Sequence, residues 1–137
     1  MFAGSGNANH MRDAIQVVKK YYEALLAQDF TLALSCFSDS SFEKMNTDIW
    51  KKTLIERMGI LGEPVNCKLA LRMTWIVRKS SPKRDSGTYY TLKFKVNYAN
   101  FSSKEKFDLF RKNPDESIQI LQYSIDCKGL DGENNSI

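Results

Sequence analysis

TYYTLKFKVNYA, residues 88–99, alternates without a break: Tyr90, Leu92, Phe94, Val96 and Tyr98 fall in one phase, and Tyr89, Thr91, Lys93, Lys95 and Asn97 in the other. A period of two belongs to a strand whose successive side chains point to opposite faces. One face is apolar and aromatic, the other polar and basic. The spacing therefore predicts a strand with one side on a core and the other in water, the usual state of an antiparallel sheet.

The same period extends in both directions. Upstream, CKLALRMTWIV (67–77) sets Cys67, Leu69, Leu71, Met73, Trp75 and Val77 against Lys68, Ala70, Arg72, Thr74 and Ile76, which predicts a long half-buried strand. Between the two strands, KSSPKRDSG (79–87) carries the Pro, Gly, Ser and charge of an exposed hairpin loop. Downstream, after a turn at 100–102, SKEKFDLFRK sets Glu105, Phe107 and Leu109 against Lys104, Lys106, Asp108 and Phe110. NPDE (113–116) is a turn signature, and 118–127 reads as the last strand. There Ile118 and Ile120 keep one phase while Leu121, Tyr123, Ile125 and Cys127 keep the other, a slip that predicts a β-bulge at 120–122.

Before Pro64 the period lengthens. Over residues 12–28, Ala14, Ile15, Val18, Tyr22, Leu25 and Leu26 recur at spacings of three and four, one face of a helix that Asp29 breaks. FTLALSCF (30–37) supplies a second, short helical segment, followed by the turn-rich SDSS (38–41). Thr47 reads as the N-cap of a third helix with Ile49, Trp50, Thr53, Leu54, Arg57 and Met58 on one side. Gly62 suits a left-handed C-cap and Pro64 forbids continuation, so this helix ends near Leu61. Three helices followed by four strands, with no βαβ alternation, predict an α+β domain whose helices pack on an antiparallel sheet. The domain spans 12–128, between a flexible Gly/Asn/Ala-rich leader at 1–11 and a flexible tail at 129–137.

With 137 residues, 42% hydrophobic and 26% charged, the chain has the composition of one ordinary globular core rather than a disordered or collagen-like one. A net charge of +4 permits an anionic partner without demanding it. No apolar run approaches the roughly 18 residues of a membrane helix. The opening MFAGSGNANHM lacks the basic start and apolar run of an export signal, which leaves open a cytoplasmic location or an exported or lipid-anchored one with its signal removed. Cys36, Cys67 and Cys127 are widely spaced and the chain has a single His, too few ligands for a tetrahedral zinc site, so no metal is expected. Cys67 and Cys127 read as buried free thiols. No P-loop, GxSxG, HExxH, EF-hand or GxGxxG pattern occurs, and no cofactor is expected.

The element order, together with AIQVVKKYYEALLAQDFTLALSCFSDSSF (14–42), resembles the nuclear-transport-factor-two-like superfamily, which includes ketosteroid isomerases and polyketide cyclases. The break at Ala27, Gln28 and Asp29 and the short helix leading into Phe37, Ser38 and Asp39 match that pattern. WKKTLIERMGILG (50–62) and SKEKFDLF (103–110) before IQILQYSI (118–125) are similar to small bacterial members, many of them exported. The resemblance implies a cone-like fold whose sheet curls around a pocket closed by the helices. It implies no particular chemistry.

Two surfaces follow as candidate sites. The inner one is a ligand pocket of Tyr22, Trp50, Trp75, Tyr90, Tyr98, Glu105 and Tyr123, fit for a small apolar or aromatic ligand. Glu105 shares a face with Phe107 and Leu109, where a carboxylate serves either as a pocket base, with the tyrosines as donors in a lyase, isomerase or cyclase, or as a structural group paired with Arg72 or Arg57. His10 lies in the leader, which removes histidine-based catalysis. The outer surface is a basic face of Lys93, Lys95, Lys104 and Lys106, extended by Lys68 and Arg72. Tyr89 is the one aromatic interleaved with those charges, which argues against a base-stacking platform for nucleic acid and for a solvated face. Outer-sheet dimers are common in the superfamily, but two basic faces repel, so a homodimer or another protein partner stays open. A non-catalytic ligand-binding or protein-interaction domain is the leading expectation, with the Glu105 enzyme second and polyanion binding third.

Overall fold

The computed structural model describes residues 2–39, 46–113, 116–127 and 134–136, with side chains from Met11 onward, up to Cys127. Three helices, α1 (Phe2–Leu26), α2 (Phe30–Ser35) and α3 (Thr47–Leu61), precede β1 (Pro64–Val77), β2 (Gly87–Tyr98), β3 (Ser102–Arg111), β4 (Gln119–Cys127) and the short β5 (Asn134–Ser136). The strands form one antiparallel sheet in the order β1-β2-β3-β4-β5, with the helices packed against one face. This is the α+β class expected. No helix among the described residues is long and apolar enough to cross a membrane.

Each helix ends where local chemistry stops it. At the end of α1, Gln28 takes a left-handed φ of 59°, letting the Asp29 amide donate to the Ala24 carbonyl at 2.8 Å. Asp29 then caps α2 by accepting from the Leu32 amide at 3.1 Å. For α3 the cap is Asn46 rather than Thr47, its side chain accepting from the Ile49 amide at 2.9 Å. Gly62 closes α3 at φ 82°, and a Cβ there would meet that of Ala99 at 2.7 Å. Gly62→Ala is thus expected to lose about 1–3 kcal/mol of stability in urea unfolding, from the left-handed backbone and the clash together.

Four expectations need correction. α1 begins at Phe2 and not near Arg12, because a helix nucleated by a packed stretch extends at one backbone bond per residue even through weak formers. The tail expected to be free contributes β5 beside β4. Cys67 is exposed, while Cys36 and Cys127 are buried, and all three are free thiols. The fourth is β1, which is an edge strand, open on much of both faces: Leu71, Met73 and Ile76 are 38%, 48% and 58% exposed. Ser40, Ser41, Pro114, Asp115 and most of the tail, which the predicted turns and flexible end involve, lie outside the described residues.

The bulge expected in β4 is present. Asp108 pairs with Gln122 and Leu109 with Ile120, leaving Leu121 as the extra residue. Two unexpected irregularities sit in β1: Pro64 pairs with Tyr98 and Asn66 with Asn97, so Val65 is extra, and Leu69 pairs with Phe94 and Leu71 with Lys93, so Ala70 is extra. Across Ala70 every later side chain changes face. Cys67 and Leu69 share the helix side with Val96 and Phe94, whereas Leu71, Met73 and Trp75 stand on the outer side with Lys93, Thr91 and Tyr89.

Candidate functional site: a sealed carboxylate and an open outer face

The inner face of the sheet is closed by aromatic packing. Tyr21 and Tyr22 of α1, Phe37 after α2, Phe94, Phe107 and Tyr123 meet mostly edge to face, with Tyr21 and Tyr22 each 5.7–5.8 Å from the Phe107 ring. The segment after α2 is tied to β4 beside the bulge: the Ile120 amide donates to the Cys36 carbonyl and the Ser38 amide to the Ile120 carbonyl, both at 2.8 Å. A recess lined by Tyr21, Leu34, Phe37, Trp50, Leu54 and Arg57 is too narrow to admit a water molecule.

Glu105 lies inside this packing at 1% exposure. Its Oε1 accepts from the hydroxyls of Tyr22 and Tyr123, each at 2.6 Å, and its Oε2 from Tyr98 and Ser103, each at 2.5 Å. A carboxylate offers about four lone-pair sites, and four hydroxyls fill them. Neither Arg72 nor Arg57 pairs with it. Arg72 lies beyond the β1 bulge opposite Leu92, and the Arg57 guanidinium rests 5.7 Å above the Tyr123 ring. Burial, and after it the charge of Glu105, holds the hydroxyls of Tyr22, Tyr98 and Tyr123 well above the ordinary tyrosine range, so all three stay protonated donors. Tyr21 is raised in the same way.

Of the seven inner-pocket candidates, Glu105, Tyr22, Tyr98 and Tyr123 come together and three do not. Tyr90 is buried toward the other end of β2, roughly 26 Å along the strand from Tyr98, and its hydroxyl has no hydrogen-bond partner among the described residues. There the Arg111 Nη2 donates to Asp13 Oδ2 at 3.0 Å. Trp50 is a core residue of α3, 7% exposed. Trp75 is on the other face of the sheet altogether, carried there by the bulge. Sequence reading missed Ser103 and Tyr21. The phase of β3 places Ser103 with Glu105, and Tyr21, three residues after Val18, shares its helix face, so the signal for both was present.

The outer face is organised in rows across the strands. Trp75, Tyr89 and Phe110 stand directly opposite one another, and the next row is Met73, Thr91, Asp108 and Gln122. Then come Leu71, Lys93, Lys106 and Ser124, followed by Lys68, Lys95, Lys104 and Asp126. The four lysines expected on this face are there, and Lys68 joins them; Arg72 does not, because the bulge turns it to the other side. Trp75 and Tyr89 stack at 5.7 Å and 8° between planes, Tyr89 and Phe110 lie 4.7 Å apart, and Arg84 of the β1–β2 loop places its guanidinium 5.9 Å from both the Trp75 and Tyr89 rings. The loop is held over the sheet by the Tyr89 hydroxyl, which donates to the Asp85 carbonyl at 2.8 Å. Beneath it runs a groove of about 790 Å³, floored by Met73, Trp75, Tyr89 and Phe110 and flanked by Lys93 and Lys106.

Among the described residues no group of three or more His, Cys, Asp or Glu is placed to hold a metal ion. Comparison of the chain with protein-family models, with curated proteins and with solved structures finds no match.

Proposed function

We propose that the chain is a non-catalytic binding domain, built on a fold of the nuclear-transport-factor-two-like kind, whose site is the groove on the outer face of the sheet. The observation that carries this reading is the face change at Ala70, which adds Trp75 to Tyr89 and Phe110, so that three half-buried rings line one groove with Lys93 and Lys106. A groove of that size with an aromatic floor and cationic flank suits a ligand that joins a flat ring system to anionic groups. Against the enzyme alternative stands the saturation of Glu105: a base needs a free lone pair within reach of substrate, and four hydroxyls occupy this carboxylate.

Pyrenetetrasulfonate, a flat polyanion, is a suitable probe. It is expected to quench the emission of Trp75, and Trp75→Ala and Lys93→Glu are each expected to weaken its binding about tenfold in fluorescence titrations. Affinity that neither substitution alters would remove the groove as the site.

A further inference from the structure

The groove continues into a lysine field that a small ligand does not need. Lys93 faces Lys106 directly across β2 and β3, and Lys68, Lys95 and Lys104 form an unbroken row over three strands. Like charges placed directly opposite destabilise a sheet. Compensation is sparse: Asp108 sits 3.9 Å from Lys106 and also accepts from the Thr91 hydroxyl at 2.8 Å, and Asp126 ends the second row. Among the described residues the other four lysines make no ion pair. From Trp75 to Asn66 the face runs roughly 30 Å along β1, with stacking residues at one end and ammonium groups over the middle.

Building on the proposed groove site, we propose that its natural ligand is single-stranded nucleic acid, laid along the outer face with bases against Trp75, Tyr89 and Phe110 and phosphates over the two lysine rows. Sequence reading argued against this because Tyr89 stood alone among the charges; Trp75, brought over by the bulge at Ala70, and Phe110, in the phase of Lys104 and Lys106, remove that objection. An aromatic platform continuous with a cationic track is the arrangement by which single strands are held without sequence preference. Arg84, already against two rings, adds a planar cation that stacks on bases as readily as on side chains. Neutralising the phosphates would relieve the repulsion between opposed lysines and release counterions. An acidic peptide meets the lysines equally well, but to use the aromatic end it must carry ring or apolar side chains at one particular spacing, whereas every nucleotide presents a ring.

The test is fluorescence anisotropy with a labelled oligothymidylate of about twelve nucleotides, alongside thymidine monophosphate, pyrenetetrasulfonate and polyglutamate. Five phosphate contacts predict a loss of about 100-fold in affinity between about 50 mM and 200 mM salt. The double substitution Lys93→Glu, Lys106→Glu is expected to flatten that salt dependence. Trp75→Ala is expected to weaken binding about tenfold or more while leaving the salt slope unchanged, a split that a purely electrostatic surface does not produce. All these positions are on the open face of the sheet, and circular dichroism checks that each variant stays folded. Binding insensitive to salt, or to both substitutions, overturns the proposal. Should the oligonucleotide bind no tighter than the monophosphate while pyrenetetrasulfonate still needs Trp75, the polymer falls and the small-ligand groove stands. Displacement by polyglutamate at equal or lower concentration replaces nucleic acid with an acidic protein partner. If neither pyrenetetrasulfonate nor the oligonucleotide binds, groove and polymer fall together.

Discussion

Raising the pH from about 9 to about 11 is expected to unfold the domain in one cooperative step, because the unfolded chain loses tyrosine protons that the folded one retains. A tyrosine in an unfolded chain titrates near about 10. Burial, with the Glu105 charge second, raises Tyr21, Tyr22, Tyr98 and Tyr123 above that value in the fold. A raised acid keeps its full contribution to stability below the unfolded value and loses it as pH climbs toward the folded one. Each such group then costs roughly 1 kcal/mol per pH unit above about 10. Four together remove roughly 4 kcal/mol within the first unit, close to the whole stability of the more marginal small domains. Far-ultraviolet circular dichroism and the tyrosinate absorbance should therefore change together. Ionisation of all the tyrosines near pH 10, with the dichroism of the native fold intact, would show that the cluster is not sealed.

How much of this was legible in the sequence differs between the two faces for a physical reason. β2 and β3 alternate large apolar residues with charged ones, so a one-residue slip would bury lysines, and the register is fixed by that cost. Glu105 was placed correctly on the inner face because Phe107 and Leu109 share its phase. What alternation does not reveal is the number of donors around it: the hydroxyls of Tyr22, Tyr98, Ser103 and Tyr123 converge from α1, β2, β3 and β4, and only the assembled fold brings them within reach. The bulge in β4 was readable because two large residues, Ile120 and Leu121, break an otherwise strict alternation. That at Ala70 in β1 was not, since Leu69, Ala70 and Leu71 are all apolar and alanine suits either face of an edge strand. The misplacement of Trp75 follows from this one unreadable slip. The objection to a nucleic-acid face follows from it only in part, because Phe110 already shares the phase of Lys104 and Lys106 and the slip adds Trp75 alone.

Glu105→Leu is expected to cost about 4 kcal/mol or more in urea unfolding, against two opposing effects that have to be weighed. The substitution relieves the desolvation of a carboxylate buried without a paired cation, a gain of several kcal/mol in principle. It also strands four buried hydroxyl donors, each costing about 1–3 kcal/mol when left without an acceptor, and it abolishes charge-assisted bonds about twice as strong as neutral ones. The second effect is larger because the desolvation is already offset in the native fold: four short bonds of 2.5–2.6 Å replace the water the carboxylate lost. The inference is testable by removing the donors as well. Adding Tyr22→Phe, Tyr98→Phe and Tyr123→Phe to Glu105→Leu is expected to restore most of the loss, since deleting both partners of a buried hydrogen bond is nearly neutral. Glu105→Leu as stable as the parent protein would mean that the network contributes nothing net. Recovery in the quadruple variant, with pyrenetetrasulfonate still bound at Trp75, would establish that the loss in Glu105→Leu comes from the stranded hydroxyls and that binding belongs to the opposite face of the sheet.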